Sequence, residues 1–379
     1  MKRNLVYIII MSIAISCSSK SDNATVDSDS NTLIELNVDP NAKSDLQSYI
    51  NIESNDTIFL ETTDEALIGR IDKIIVHNDQ IFVLDIRVAK SIFIFNTSGE
   101  FQGKINNIGD GPGQFFLPFD MGFNVETDRI EIMDVRLRKI LSFNTKGEFI
   151  EEWRIEEQLV DFYPLSKDNY VFHKDGREFE IGEKHNLLRL SDRSNTKVLL
   201  EGVSEFGVTD YLPINNNLMS TYNRLLYIHP MHDTIYEVNN EEIRPAYFIN
   251  FGNKKLPDEV KEMSMLDLRN KILTTDYYWN MGNILETSDF VGFLWSRKEA
   301  NFESLGDQAV EEVFFSIYNK NNDTLITLPD NYNSEGLNWS YPVYAKDDEF
   351  YSIYLPDVSA STIGKEENPF IVKYKINKF

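Results

Sequence analysis

The stretch from Ile81 to Phe101, IFVLDIRVAKSIFIFNTSGEF, returns almost unchanged from Ile130 to Phe149 as IEIMDVRLRKILSFNTKGEF. Asp85 and Asp134 lie 49 positions apart (134 − 85), and Gly99 and Gly147 lie 48 apart (147 − 99). A repeat of that length matches one four-stranded blade of a β-propeller. Each copy holds two runs of Val, Ile, Phe and Leu broken by turn residues, the pattern of paired strands.

Working outward, the first unit reads as strands at Lys73–His77, Ile81–Asp85, Ser91–Phe95 and Phe101–Lys104. Its turns at Asn78-Asp79 and Thr97-Ser98-Gly99 carry residues that tolerate positive φ. The second unit repeats the scheme at Met121–Val125, Ile130–Asp134, Ile140–Phe143 and Phe149–Ile155. Glycines between Ile108 and Phe115 let the backbone turn sharply from one blade into the next.

Weaker copies follow. A third unit takes Asp161–Leu165, Tyr170–His173, Asn186–Leu190 and Lys197–Leu200, and a fourth takes Leu218–Tyr222, Leu225–His229, Thr234–Val238 and Ala246–Phe251. The fifth takes Ile284–Thr287, Val291–Trp295, Val313–Asn319 and Thr324–Leu328. The sixth shows only three strands, Trp339–Tyr344, Phe350–Tyr354 and Phe370–Ile376. Thr57–Glu61 is then expected to supply the missing outer strand and close the ring, which removes free sheet edges. Pro257–Leu273 favours helix and is expected to form a short insertion between blades four and five. The fold class is therefore all-β, a six-bladed propeller of four-stranded antiparallel blades.

The N-terminus has a different character. Lys2 and Arg3 precede an apolar run from Leu5 to Ile15, the pattern of a secretory signal. The run is shorter than the roughly 20 apolar residues that span a bilayer. Ile15-Ser16-Cys17 resembles the end of a bacterial lipobox, which makes Cys17, the one cysteine of the chain, the expected lipidation site. A polar, acidic stretch follows. The expected division is a signal peptide at 1–16, a disordered tether at 17–47 and the propeller at 48–379. With 61 acidic and 37 basic residues the net charge is −24, which argues against nucleic acid as a partner.

The GDGPGQF run ending at Phe115, with Pro118 three residues on, and the Ile-x-x-Phe-Asn-x-x-Gly-Glu-Phe unit resemble NHL-repeat propellers. The chain as a whole, from about Asp56 onward, resembles the six-bladed β-propeller lipoproteins of Bacteroidetes; Asp233-Thr-Ile-Tyr236 and the closing strand near Leu60-Glu61 add to the likeness. The resemblance implies the fold and an outer-membrane, lipid-anchored address. NHL-like propellers include ligand-binding modules, lyases and lactonases, so the scaffold alone assigns no activity.

Candidate sites are few. Asp85 and Asp134 end equivalent strands, where an aspartate ordinarily caps a turn. Arg87 and Arg136 follow them, and with Lys90 and Lys139 they form a candidate anion-binding ring at the channel. Tyr277, Tyr278 and Trp279 are read as a loop after the insertion, exposing aromatic faces to a sugar or a partner. Arg297 near Trp295 is a further ligand candidate, and Trp295 and Trp339 are read as blade packing. His229 and His232 straddle a proline with no third ligand in view, while His77, His173 and His185 are scattered, so no metal and no cofactor is expected. No Gly-x-Ser-x-Gly elbow, phosphate loop or sialidase box occurs. The sequence thus points to a monomeric binding module at the cell envelope that takes a glycan, peptide or envelope protein. The alternative is a propeller lyase or hydrolase with a metal or acid site in the channel.

Overall fold

The computed structural model describes residues 33–39, 49–50, 56–156, 159–174, 184–203, 218–220, 224–229, 232–257, 259, 276–298, 311–329, 333–334, 337–338, 340–355, 367–377 and 379. Two strands, β1 (Ile34–Asn37) and β2 (Thr57–Phe59), precede the first full blade. Blade 1 holds β3 (Lys73–His77), β4 (Gln80–Asp85), β5 (Ser91–Asn96) and β6 (Phe101–Ile105). Blade 2 holds β7 (Pro118–Asn124), β8 (Arg129–Asp134), β9 (Lys139–Asn144) and β10 (Phe149–Arg154). Blade 3 holds β11 (Asp161–Pro164), β12 (Tyr170–His173), β13 (Lys184–Ser191) and β14 (Thr196–Val203). Blade 4 holds β15 (Leu218–Ser220), β16 (Leu225–Ile228), β17 (Thr234–Val238) and β18 (Ile243–Asn250). Blade 5 holds β19 (Tyr278–Glu286), β20 (Phe290–Lys298), β21 (Glu311–Asn319) and β22 (Thr324–Pro329). After the two-residue strands β23 (Asn333–Ser334) and β24 (Leu337–Asn338), blade 6 holds β25 (Tyr344–Lys346), β26 (Glu349–Tyr354) and β27 (Phe370–Tyr374).

Every blade is an antiparallel meander, and the first strands of successive blades approach one another around the axis, with β16 taking the place of β15 against β19. The ring closes as the sequence predicts: β2 pairs antiparallel with β27 through Thr57↔Val372, Ile58↔Ile371 and Phe59↔Phe370. Asn368 fastens this closure. Its side-chain oxygen accepts from Ile68 N (2.8 Å), and its amide donates to the carbonyls of Glu61 (2.9 Å) and Ala66 (2.5 Å).

The packing follows from alternation. In β4, Ile81 and Val83 face blade 6 while Phe82 and Leu84 face blade 2. A blade between two others buries both faces, so its middle strands read as unbroken apolar runs. Truncating a filled position such as Phe82 (fully buried) to Ala costs about 3–5 kcal/mol. Turn chemistry matches too: Asn78 and Asp79 have φ of 44° and 59°, and Gly99 and Gly147 have 87° and 84°. At Gly99 a β-carbon would lie 2.0 Å from the Phe59 carbonyl oxygen, so the turn that receives the closing strand needs glycine.

One expectation changes. The segment assigned to the tether contains β1, which pairs in parallel with β18 as a fifth strand on blade 4, with Leu36 fully buried. Apolar alternation in four residues, Ile34-Glu35-Leu36-Asn37, is too brief a signal to separate from a polar leader. The expected helix at Pro257–Leu273 falls outside the described residues apart from Pro257 and Glu259; among the described residues the connection holds a 3-10 turn at Gly252–Lys254, and no α-helix occurs among them. Trp339 also lies outside them.

Candidate functional site

Antiparallel meanders sort the loops by face. The second-to-third-strand turns and the connections between blades share one side of the disc, the crossover face; the other two hairpins of each blade share the opposite side. Asp85 and Asp134 organise the crossover face in blades 1 and 2. Asp134 Oδ2 accepts from the backbone N–H of Phe116 (2.6 Å) and Leu117 (3.2 Å), and Oδ1 accepts from Arg136 and Leu137 (both 2.8 Å). Asp85 does the same with Gly69 (2.9 Å), Arg70 (3.0 Å) and Val88 (2.9 Å). Each buried carboxylate thus ties its own turn to the incoming connection, the capping role expected of it.

With the turns fixed, their other side chains point to solvent. Arg87, Val88, Lys90, Arg136 and Arg138 are exposed. Lys90 (φ 49°) and Arg138 (φ 54°) occupy the same left-handed position immediately before the next strand. The predicted pairing of Lys90 with Lys139 is corrected accordingly. The second turn is one residue shorter, so Lys139 falls inside β9, where it is buried and bound to Glu152 Oε2 at 2.8 Å. Arg136 lies over the Phe116 ring at 4.9 Å. Arg154 ends β10 beside this turn, since Ile155 N donates to the Arg138 carbonyl at 2.9 Å.

Most described arginines are drawn into carboxylates: Arg70 to Asp72 (2.8 Å), Arg129 to Glu151 (2.7 Å), Arg224 to Glu286 (2.7 Å), Arg244 to Glu237 (3.0 Å) and Arg297 to Glu312 (2.8 Å). Among the described residues Arg87, Arg136, Arg138 and Arg154 form no ion pair, and all four lie on the crossover face of blades 1 and 2. In a chain with 24 surplus negative charges, that grouping sets four guanidinium groups without an ion pair on one face, within reach of an anion.

The other candidates sit differently. Tyr278 and Trp279 belong to β19, the innermost strand of blade 5, and are 4% and 3% exposed, with Tyr277 half-buried beside them. The exposed-loop reading of this triplet is corrected: the strand begins earlier than its Val and Ile content signals, and its aromatics fill the core. Arg297 is buried, bound to Glu312 and lying over the rings of Tyr278 (5.8 Å) and Phe314 (5.1 Å), so its charge is already used. Trp295 packs as read, stacked on Phe314 at 4.4 Å with its N–H donated to Ser316 Oγ at 2.8 Å.

Sequence distance hid one cluster. His173 at the end of β12 lies 5.7 Å from the His229 ring, and His229 lies 4.7 Å from His232. Asn280 of β19 donates to the carbonyls of both His229 and His232, fixing that turn. Among the described residues no group of three or more His, Cys, Asp or Glu side chains is set to hold a metal ion. Nearer the axis Lys73 Nζ binds Asp120 Oδ1 at 2.7 Å, and Asp120 Oδ2 accepts from Phe162 N at 3.0 Å. Burial pulls the Lys73 ammonium down, but Asp120 and Asp161 outweigh it and hold its pKa above the usual lysine value.

Two buried glutamates mark the seams between blades. Glu131 of β8 accepts from Tyr170 Oη (3.1 Å) and Ser142 Oγ (3.3 Å), and Tyr170 in turn accepts from Arg193 (2.8 Å). Burial pushes the Glu131 carboxyl up to about 7, against the pull of these donors. Glu286 of β19 meets Arg224 at 2.7 and 2.9 Å, Tyr247 Oη at 2.8 Å and Lys320 at 3.4 Å. Burial raises it as well, but Arg224 and Lys320 outweigh burial and hold it below the usual carboxylate range.

Solved structures share this architecture. A putative exported protein from Bacteroides fragilis NCTC 9343 superposes with a TM-score of 0.68 at 18% identity, covering 92% of this chain and 100% of its own. A member of the DUF4221 family from Bacteroides vulgatus ATCC 8482 gives 0.55 at 12% identity, covering 87% and 98%. At these identities the likeness concerns the fold. No curated protein matches the chain. A family model described as a domain of unknown function, DUF4934, matches residues 32–375, starting just before β1 and running through all six blades. The chain is therefore a member of the DUF4934 family, built as a six-bladed β-propeller.

Proposed function

We propose that this chain is an exported, lipid-anchored propeller that binds an anionic ligand or partner on the crossover face of blades 1 and 2, without catalysis of its own. One observation carries the binding reading: among the described residues Arg87, Arg136, Arg138 and Arg154 form no ion pair in an acid-rich chain, and they gather on one face. Arg87, Arg136 and Arg138 sit on turns fixed by Asp85 and Asp134, so little loop ordering is left to oppose binding. Guanidinium groups so placed take carboxylate, sulfate or phosphate oxygens in pairs. Export is supported by the leader ahead of Cys17 and by the description of the Bacteroides fragilis relative as a putative exported protein.

Charge reversal tests the binding reading. Arg87→Glu with Arg136→Glu should abolish retention of the purified protein on carboxylated and sulfated matrices while leaving its melting temperature within a few degrees. Undiminished retention would remove the crossover face from consideration. For the anchor, Cys17→Ala should move the protein from the membrane to the soluble fraction of its native cells.

A further inference from the structure

Resting on that reading of the crossover face, we infer that its ligand is a repeating polyanion, an acidic polysaccharide bearing carboxylate or sulfate groups, held across two equivalent subsites on adjacent blades. The subsites are the turns after β4 and β8. Each begins at a buried aspartate, presents an arginine two residues later, Arg87 or Arg136, and ends in a second cation in a left-handed backbone, Lys90 or Arg138. Most other described residues with positive φ are Gly, Asn or Asp, which reach that region at little cost. A lysine and an arginine there carry a β-carbon penalty that glycine would remove. Arg193 (φ 70°), the other such cation, is held by Tyr170 at 2.8 Å and lies over Trp153 at 5.4 Å. Lys90 and Arg138 make no side-chain hydrogen bond or ion pair among the described residues. Structure therefore accounts for Arg193 and leaves the twin cations to a partner outside the fold.

Duplication sets the class of partner. A single small anion would need one turn, whereas a polymer with regularly spaced negative groups engages both, and the second contact is made at high effective concentration. Between the cations the turns offer aliphatic carbon, Val88 at 67% exposure and Leu137 half-buried, with no Phe, Tyr or Trp inside either turn; the adjacent Phe116 ring is covered by Arg136. Single-stranded nucleic acid is gripped by bases stacking on aromatic rings, which neither turn supplies.

The experiment compares polygalacturonate oligomers of increasing length with galacturonic acid, by calorimetry on the full propeller and on two double variants, Arg87→Ala/Lys90→Ala and Arg136→Ala/Arg138→Ala. The expected result is an affinity that rises on the order of 10²-fold from monomer to oligomer. Either double variant should remove most of that rise and bind the monomer at one site per chain where the parent binds it at two. Chondroitin sulfate should compete. A monomer as tight as the oligomer, or variants that keep the full rise, would overturn the two-subsite inference and leave an anion-binding face standing. Tighter binding of an oligothymidylate of matched charge would overturn the polysaccharide assignment. Absence of binding to every anion tested would overturn the underlying reading as well. Both turns are exposed and their aspartates are untouched, so unchanged thermal unfolding serves as the control for folding.

Discussion

The seam between blades 2 and 3 and the seam between blades 4 and 5 each bury a glutamate, and the two have opposite electrostatics. Glu131 is 1% exposed and meets two hydroxyls; Glu286 is 2% exposed and meets a guanidinium, an ammonium and a hydroxyl. Burial is the first cause acting on both. What separates them is a formal positive charge in contact, which a neutral donor does not replace. Arg193 hydrogen-bonds Tyr170 and acts on Glu131 from a distance, whereas Arg224 grips Glu286 with two nitrogens.

The sharpest break should come at Glu286. Glu286→Ala leaves Arg224 and Lys320 facing a buried void and is expected to cost about 3–5 kcal/mol in denaturant unfolding. A loss below about 1 kcal/mol would mean that the pair contributes nothing beyond its own desolvation. Glu131 should behave in the reverse sense. Its folded pKa of about 7 stands above the ordinary 4.5, so the native state binds more protons than the unfolded state between those values. The stabilisation from this group is fully present below about pH 4.5 and is lost as pH rises through about 7. For Glu286, held below its ordinary value, the contribution is present above about pH 4.5 and is lost on acidification through the folded pKa.

Glu131→Gln should accordingly stabilise the propeller by about 3 kcal/mol near pH 8 and have little effect near pH 4, from 1.36 kcal/mol per unit over the shift. Equal effects at both pH values would show that the carboxyl is not neutral in the folded chain. Tyr170→Phe removes a donor to Glu131 and an acceptor for Arg193, at an expected cost of about 1–2 kcal/mol that grows with pH. The smallest effect should come from Lys320→Met, about 0.5 kcal/mol or less in thermal unfolding, because Arg224 keeps two hydrogen bonds on Glu286 while burial works against the Lys320 charge. A larger loss would move credit for the depressed carboxyl from the guanidinium to the ammonium.

These seams were invisible in the sequence for a definite reason. Glu131 and Tyr170 lie 39 positions apart, as do Tyr247 and Glu286, and no local periodicity couples strands in different blades. By contrast, the strands within a blade are set by short hairpins, so Thr234–Val238 and Tyr170–His173 can be read to the residue from composition and turns. The capping role of Asp85 and Asp134 was legible because the repeat shows each twice in one context. Alignment by sequence alone paired Lys90 with Lys139; only the backbone, through the shared left-handed φ, equates Lys90 with Arg138. Tyr278 and Trp279 misled because aromatic residues after a polar connection read alike whether they line the core or face water. The four-residue β1 escaped because a parallel partner more than two hundred positions away leaves no local mark.

Closure of the ring has a consequence for how the chain is made. Glu61 waits for Asn368, 307 positions downstream, and β2 for β27. A ribosome delivers the receiving edge some three hundred residues before the piece that fits it. Wherever the chain folds, the disc stays an open arc until that segment is in place, and a product truncated before Phe370 has one blade unfinished and its edge bare to other chains.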